Sequence, residues 1–356
     1  MESCDKVFGV VQNFRRLFLR AAADGRGEAL FGKGTIDKAT AALRKGAILG
    51  AEGDASFYFE FPFTGLPRMD LMVAYVCANL PTPLAFEEGD GYGLQAFFAA
   101  CAANSSLSAH ICGFSFDISD MADKISDAAA NPGVYLLPNF EEPNVEYVPT
   151  MLAQLGGEDR VSRVMAAFAA APSRWQPYYA GYMPGRRGAP TRIGFIVTHK
   201  GRSHYAQTPE QLAEDAEAFA GLCLSGEGRE TLIALAGSGA VVDLQFDLYP
   251  DGTFTDDLGV SLNFGFNDTN PRDCAGFLER GKAGEVMARI EAMGLADDRW
   301  RLMDKACYAV GCFVRGAEGE LLRVGDRVSL NAVKVRFKRG AAYLAKGYLL
   351  ARSSIL

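Results

Sequence analysis

Lys334, Arg336 and Lys338 occupy alternate positions near the C-terminal end of the chain, and Lys346 and Tyr348 repeat that spacing in the next segment. On an extended backbone, residues two apart share a face, so these charges converge if the two segments are neighbouring strands. Converging cations suit an anionic ligand, and tyrosine rings beside them would stabilise positive charge developing nearby. The plainer alternative is a solvated basic strand face. Glu60 alternates with Phe57, Phe59, Phe61 and Phe63 and so lies on the other face of their strand. There a carboxylate in a partly apolar space could orient a substrate or take a proton from it, unless it is a salt-bridged structural acid. Asp243, Gln245 and Asp247 also share one face. Hard oxygen ligands at Asp243 and Asp247 could hold magnesium, or the three form only a polar ladder.

Other chemistries find little support. The chain has 3 histidines and no H-E-x-x-H motif, and its 8 cysteines are scattered with no C-x-x-C pair. They read as free, mostly buried thiols of a cytoplasmic protein. Neither a Walker A loop nor a G-x-S-x-G elbow occurs. Gly89, Gly91 and Gly93 read as a loop, because no dinucleotide-type strand precedes them. A net charge of −7 speaks against nucleic acid as a partner. No apolar run approaches the ~18 residues of a membrane span, and no signal peptide is evident. With 49% hydrophobic and 22% charged residues over 356 positions, the chain has the composition of a soluble globular protein.

These residues need elements to position them. Val7, Val10, Val11, Phe14, Leu17, Phe18 and Ala21 predict an amphipathic helix over 5–24, and a second follows over 36–44. The period then drops to two. Strands are predicted over 56–63, 70–77, 110–117, 133–139, 178–183, 191–198, 241–249, 258–266, 330–338 and 343–350. Asp251-Gly252 marks one of the tight turns. Helical segments are predicted over 94–103, 145–155, 160–171, 209–224, 228–235, 271–293 and 300–310. The strands come as hairpins rather than βαβ units, each pair preceded by two helical segments. The expected fold is therefore α+β: five α-α-β-β repeats giving a closed ten-stranded antiparallel β-barrel ringed by helices. No linker divides the chain, so a single domain is expected over 1–356, with N-terminal helices over 1–50 and the barrel over 56–350.

Helices outside a barrel require an apolar outer face. Phe57 to Phe63, Ile193/Phe195/Val197, Val242/Leu244/Phe246/Leu248, Leu258/Val260/Leu262/Phe264 and Val333/Val335/Phe337 supply it. The inner face then carries Tyr58, Glu60, Asp117, Tyr135, Arg192, Thr198, Asp243, Gln245, Asp247, Tyr249 and Asn263, together with the basic set at 334–348.

This element order and face polarity resemble the aromatic prenyltransferases, the family of the ABBA or prenyltransferase barrel. The resemblance spans residues 35–350 and rests on no sharp motif. It implies transfer of a prenyl group from an allylic diphosphate to an aromatic small molecule or a peptide side chain. Lys346 and Tyr348 are similar to the family's Lys-x-Tyr strand pattern, and Arg192 takes the equivalent place on the sixth strand. With Lys334 and Arg336 they are the implied diphosphate ligands. Glu60 matches the acceptor-side carboxylate, expected across the barrel from the basic set and away from the diphosphate. Tyr58, Asp117, Tyr135, Asp243, Gln245, Asp247 and Asn263 are implied to line the chamber. No cofactor is required, although some members use magnesium, for which Asp243 and Asp247 are the candidates. The eighth strand departs from the family, having no Lys or Arg where a basic or Tyr anchor is common. The alternative function is a ligand- or peptide-binding barrel acting as an accessory protein without transfer chemistry.

Overall fold

A computed structural model of the chain describes residues 9–46, 48–49, 55–76, 85–86, 97, 99–100, 103, 111–118, 132–138, 145–183, 188–266, 270–315 and 319–356. Much of the expected helix over 94–103, the loop around Gly91 and the hairpin tip at Arg186 and Arg187 lie outside these residues.

Ten antiparallel strands close into a barrel, as the hairpin count predicts. They are β1 (Ser56–Pro62), β2 (Asp70–Val76), β3 (Ile111–Phe116), β4 (Gly133–Leu137), β5 (Trp175–Tyr182), β6 (Thr191–Val197), β7 (Val241–Leu248), β8 (Phe254–Leu262), β10 (Leu321–Lys338) and β11 (Ala341–Ile355). Each pairs with the next in the order β8-β7-β6-β5-β4-β3-β2-β1-β11-β10, and β10 returns to β8 with Val335 opposite Val260. Closure leaves the barrel strands no free edge.

An eleventh strand in the same sheet departs from the expectation. The segment read as a helix over 300–310 is a short helix at Trp300–Met303, one 3-10 turn, and then β9 (Tyr308–Arg315). Its β-branched residues Val310 and Val314 and its aromatic residues Tyr308 and Phe313 favour a strand. β9 pairs with residues 321–328 of β10, while residues 333–338 of β10 close the barrel against β8. β10 and β11 are thus longer than expected and run beyond the barrel, β11 as far as Ile355 rather than 350.

The outer face is built as the alternation requires. Phe57, Phe59, Phe61 and Phe63 are all buried beneath α1 (Val10–Ala21) and α2 (Arg26–Phe31). Phe14, Phe18 and Phe31 meet Phe57, Phe59 and Phe61 edge-on or tilted at centroid separations of 5.3–6.0 Å, the favoured range for aromatic pairs. α3 (Thr35–Gly46) packs beside α1. The six-residue α2 was missed because its short apolar end carries no full period. On the far side, Phe195, Phe246 and Trp175 interlock under α5 (Val161–Ala169) and α7 (Glu210–Ala220) through Phe168 and Phe219. α4 (Val148–Gln154) precedes α5, and α6 (His199–Gln207) and α8 (Gly226–Gly237) flank α7. α6 is a further unexpected helix, set by Thr198, whose hydroxyl caps it by accepting from the Gly201 amide at 3.0 Å. Thr198 is therefore a cap rather than an inward-facing residue. The long helix expected over 271–293 is a 3-10 turn at Pro271–Asp273 followed by α9 (Gly281–Ala292).

Two outer-face assignments shift. A register break between β7 and β8 puts Val241, not Val242, in the core. Phe264 lies past the end of β8 and is only half-buried against the core.

Candidate active site

The inner faces of β1, β6, β7, β10 and β11 bring most of the expected polar residues together. Register starts the arrangement: Tyr348 of β11 lies opposite Glu60 of β1, which lies opposite Asp70 of β2. Lys346 Nζ sits 2.5 Å from Glu60 Oε1 and 3.9 Å from Asp70 Oδ2. The Tyr348 hydroxyl helps to stabilise the same Glu60 carboxylate, and Lys334 Nζ lies 5.3 Å from the centre of the Tyr348 ring. From β10, Lys334 Nζ and Arg336 Nη1 donate to one acceptor, Gln245 Oε1 of β7, at 3.2 and 3.0 Å.

Two residues further along β7, Asp247 takes both arms of Arg192, at 2.8 Å (Nε) and 3.1 Å (Nη2). Arg336 Nη2 stands 3.8 Å from the same carboxylate. Arg192 Nη1 donates to the Tyr135 hydroxyl at 3.2 Å. Asp243 accepts from Ser261 Oγ at 2.5 Å.

A second, apolar cluster of Tyr135, Tyr178 and Tyr179 lies apart from the main core and completes the wall. Tyr135 and Tyr179 meet edge-on at 6.0 Å, as do Tyr178 and Tyr179 at 5.7 Å. Two glycines make room for these rings. A Cβ at Gly181 would fall 2.2 Å from the Tyr135 ring, and one at Gly194 would fall 2.0 Å from the Tyr179 ring.

Charge pairing sets the protonation states. Burial pushes the Glu60 carboxyl up, but Lys346, Lys334 and the Tyr348 hydroxyl outweigh it and hold Glu60 at about 2. Asp247 is likewise lowered: burial is overcome by Arg192, with help from Arg336 and Lys334. Burial lowers Lys334, and nearby Asp243 and Glu60 only partly offset it. Lys346 is raised, because Glu60 and Asp70 outweigh its burial. Burial raises the hydroxyls of Tyr178, Tyr179 and Tyr348, which stay neutral donors.

Most expected site residues thus share one network: Glu60, Tyr135, Arg192, Gln245, Asp247, Lys334, Arg336, Lys346 and Tyr348, with Asp243 beside it. Tyr58, half-buried on β1, lies near enough to Tyr178 to raise that hydroxyl. Four expectations need correction or narrowing. Glu60 does not stand across the barrel from the basic set; β1 pairs with β11, so it binds Lys346 directly. Asn263 lies just beyond β8, where its Oδ1 accepts from the Gly265 and Phe266 amides and holds a turn. Tyr249 and Lys338 are exposed at strand ends. Asp117 follows the last residue of β3 and is half-buried.

Sequence reasoning missed Asp70, Tyr178 and Tyr179. Asp70 stands at the first residue of β2, where alternation gives it no distinction until the register with β1 is known. A register break between Pro177 and Tyr179 turns consecutive tyrosines toward the interior, which strict alternation forbids.

Among the described residues, no group of three or more His, Cys, Asp or Glu side chains could hold a metal ion. Both oxygens of Asp247 are engaged by Arg192, and Asp243 is four positions away on the strand.

No family model and no curated protein matches the sequence. Among solved structures the chain is similar to a 6-dimethylallyl tryptophan synthase, with 12% identity and a TM-score of 0.45, over 96% of this chain and 95% of that one. Among the described residues, no helix is long and apolar enough to cross a membrane.

Proposed function

We propose that the chain transfers a prenyl group from an allylic diphosphate to an aromatic acceptor, either a small molecule or a peptide side chain, inside the barrel. The observation that carries this reading is the convergence of Arg192, Lys334, Arg336 and Lys346 beside Tyr135, Tyr178, Tyr179 and Tyr348 on the inner face of the barrel. Ionising an allylic C–O bond requires cations around the departing diphosphate and a π-rich wall beside the carbocation. In this reading the four cations hold the diphosphate, and the side chains do what magnesium would otherwise do. The tyrosine faces screen the allylic cation from water. A C–C bond then forms to the acceptor ring, whose displaced proton must pass to a base.

Glu60 fits that base only conditionally. At about 2, it is a weak proton acceptor at neutral pH. As Lys346 turns toward the diphosphate, Glu60 loses its strongest partner and its affinity for a proton rises. Substrate binding would therefore arm the carboxylate.

The second reading, a binding barrel without transfer chemistry, is favoured by charge balance. Arg192, Lys334, Arg336 and Lys346 are matched by Glu60, Asp70, Asp243 and Asp247. Incubation with dimethylallyl, geranyl and farnesyl diphosphates and a panel of indoles, phenols and peptides, read by mass spectrometry, separates the two. A prenylated acceptor lost in Lys346→Ala supports transfer. Tight diphosphate or acceptor binding with no product in any combination supports the second reading.

A further inference from the structure

Outside the barrel, β9, the first half of β10 and the end of β11 form a three-stranded ribbon. One face of it is covered: Asp326 is buried beneath α1, held by Arg16 at 2.9 Å and by Ser353 at 2.6 Å. The other face is open. It carries Gly311, Phe313 and Arg315 on β9, Leu321, Arg323 and Arg327 on β10, and Arg352 and Leu356 on β11, and no acidic residue. Phe313, Leu321 and Leu356 are 65–67% exposed there. Four arginines on one face contrast with the chain's net charge of −7.

The ribbon also has a free edge. The Leu356 amide donates to the Arg323 carbonyl, so Arg323 turns its backbone groups toward β11. In an antiparallel ladder its partner Phe313 must then point its own N–H and C=O away from β10. Ala309, of the same parity, confirms the direction, because its carbonyl accepts from Arg272 Nε at 3.1 Å on that outer side. Beyond Ala309, no described strand pairs with this edge. Proteins usually blunt exposed edges with proline, bulges or central charges. β9 has no proline, runs eight residues in unbroken register with β10, and carries no charge before Arg315.

We infer that the β9 edge takes up an acidic, extended peptide segment as an added strand. The backbone groups of Gly311, Phe313 and Arg315 would supply the ladder. Phe313 would pack its apolar side chains, and Arg315 and Arg323 would pair with its carboxylates. An added strand lies ~5 Å from β9 and ~10 Å from β10, within reach of both arginines and about one Debye length at physiological salt. The inference stands apart from the chemistry in the barrel and does not depend on it.

The test uses fluorescence anisotropy with the whole chain and two labelled probes as long as β9, one alternating glutamate and valine and one alternating lysine and valine. The glutamate probe should bind, and binding should weaken with added salt. Arg315→Glu/Arg323→Glu should weaken it by about tenfold or more, the scale of lost charged contacts. Phe313→Pro removes an outward N–H without touching the β9–β10 ladder and should abolish binding. The charge-reversal pair keeps the test decisive if the proline variant fails to fold. Equal binding of both probes, or unchanged glutamate-probe binding in the charge-reversed variant, would overturn the inference. So would concentration-dependent dimerisation in sedimentation that Phe313→Pro removes, because the occupant would then be a second copy of the chain.

Discussion

Glu60→Gln tests the pairing at the centre of the chamber with two readouts of opposite sign. The wild-type carboxyl is held at about 2 instead of 4.5. A depressed carboxyl stabilises the fold fully above its unfolded value and loses that contribution as pH falls through its folded value. The window is therefore pH 4.5 down to about 2. At ~1.4 kcal/mol per pH unit, the contribution at neutral pH is roughly 3 kcal/mol. Glutamine keeps the shape but cannot titrate, so urea unfolding at pH 7 and pH 2.5 should show a pH-dependent loss smaller by about that amount in the variant. The second readout is diphosphate affinity by titration calorimetry. Removing an anion a few ångströms from Lys346 should tighten diphosphate binding by roughly 1–3 kcal/mol, or about ten- to a hundredfold, at an effective dielectric near 20. Turnover, by contrast, should fall by about 10²–10⁴, the range for a lost acid–base group. Equal pH dependence in the two proteins would refute the ion pair. Weaker diphosphate binding in the variant would show that Glu60 positions Lys346 for the ligand rather than competing with it.

Further outcomes follow from the same geometry. Arg192→Leu leaves the buried Asp247 carboxylate without its bidentate partner and should cost about 3–5 kcal/mol in chemical denaturation, most of it recovered in Arg192→Leu/Asp247→Leu; equal losses in both would deny the coupling. Gly194→Ala drives a methyl into the Tyr179 ring and should cost about 1–3 kcal/mol while lowering turnover at saturating substrate; an unchanged melting temperature would mean that ring is loosely held. Phe246→Ala should cost roughly 3–5 kcal/mol and Phe264→Ala clearly less, because Phe246 is sealed in the core and Phe264 is half-buried; the reverse order would overturn the outer-face assignment. Acceptor affinity should rise when a non-ionising diphosphate analogue is bound, since Lys346 then releases Glu60; identical acceptor affinity with and without the analogue would sink the arming step.

The barrel could be read from the sequence because its signal is local. Phe at every odd position from 57 to 63, and the alternation of Val, Leu and Phe at 244–248 and 258–262, can only be strand faces packed under something apolar. The inner face follows as its complement, which is why alternation alone places Arg192, Gln245, Asp247, Lys334, Arg336, Lys346 and Tyr348 on it. What escaped depends on register and on breaks in register. Strand alternation says that Glu60 and Lys346 face inward, but only the pairing of β1 with β11 makes them neighbours. The irregularity after Pro177 turned Tyr179 inward, and the one near Val242 moved the core contact to Val241. β9 was lost for a different reason: Tyr308 follows Trp300 and Leu302 closely enough to extend a helical pattern, and the turn at Asp304 that ends it has no Gly or Pro to mark it.

The near-neutral balance of the chamber has a physical rationale. Four unpaired cations in a partly desolvated barrel would repel one another, and burial would strip the lysines of their protons or unfold the wall around the arginines. Carboxylates from β1, β2 and β7 prevent this before any ligand arrives. The geometry shows the trade: Asp247 fixes Arg192 in a planar two-pronged pair, while Lys346 meets Glu60 as a single point charge that can swing away. The arginine pair is therefore the rigid part of the site, and the lysine pair is the part that can exchange partners. An anion entering the chamber gains most where exchange costs least, which is at Lys346 and Lys334, beside the Tyr348 ring. The carboxylate released there is Glu60, so in the proposed transfer the group freed by the leaving-group end of one substrate would be delivered to the other.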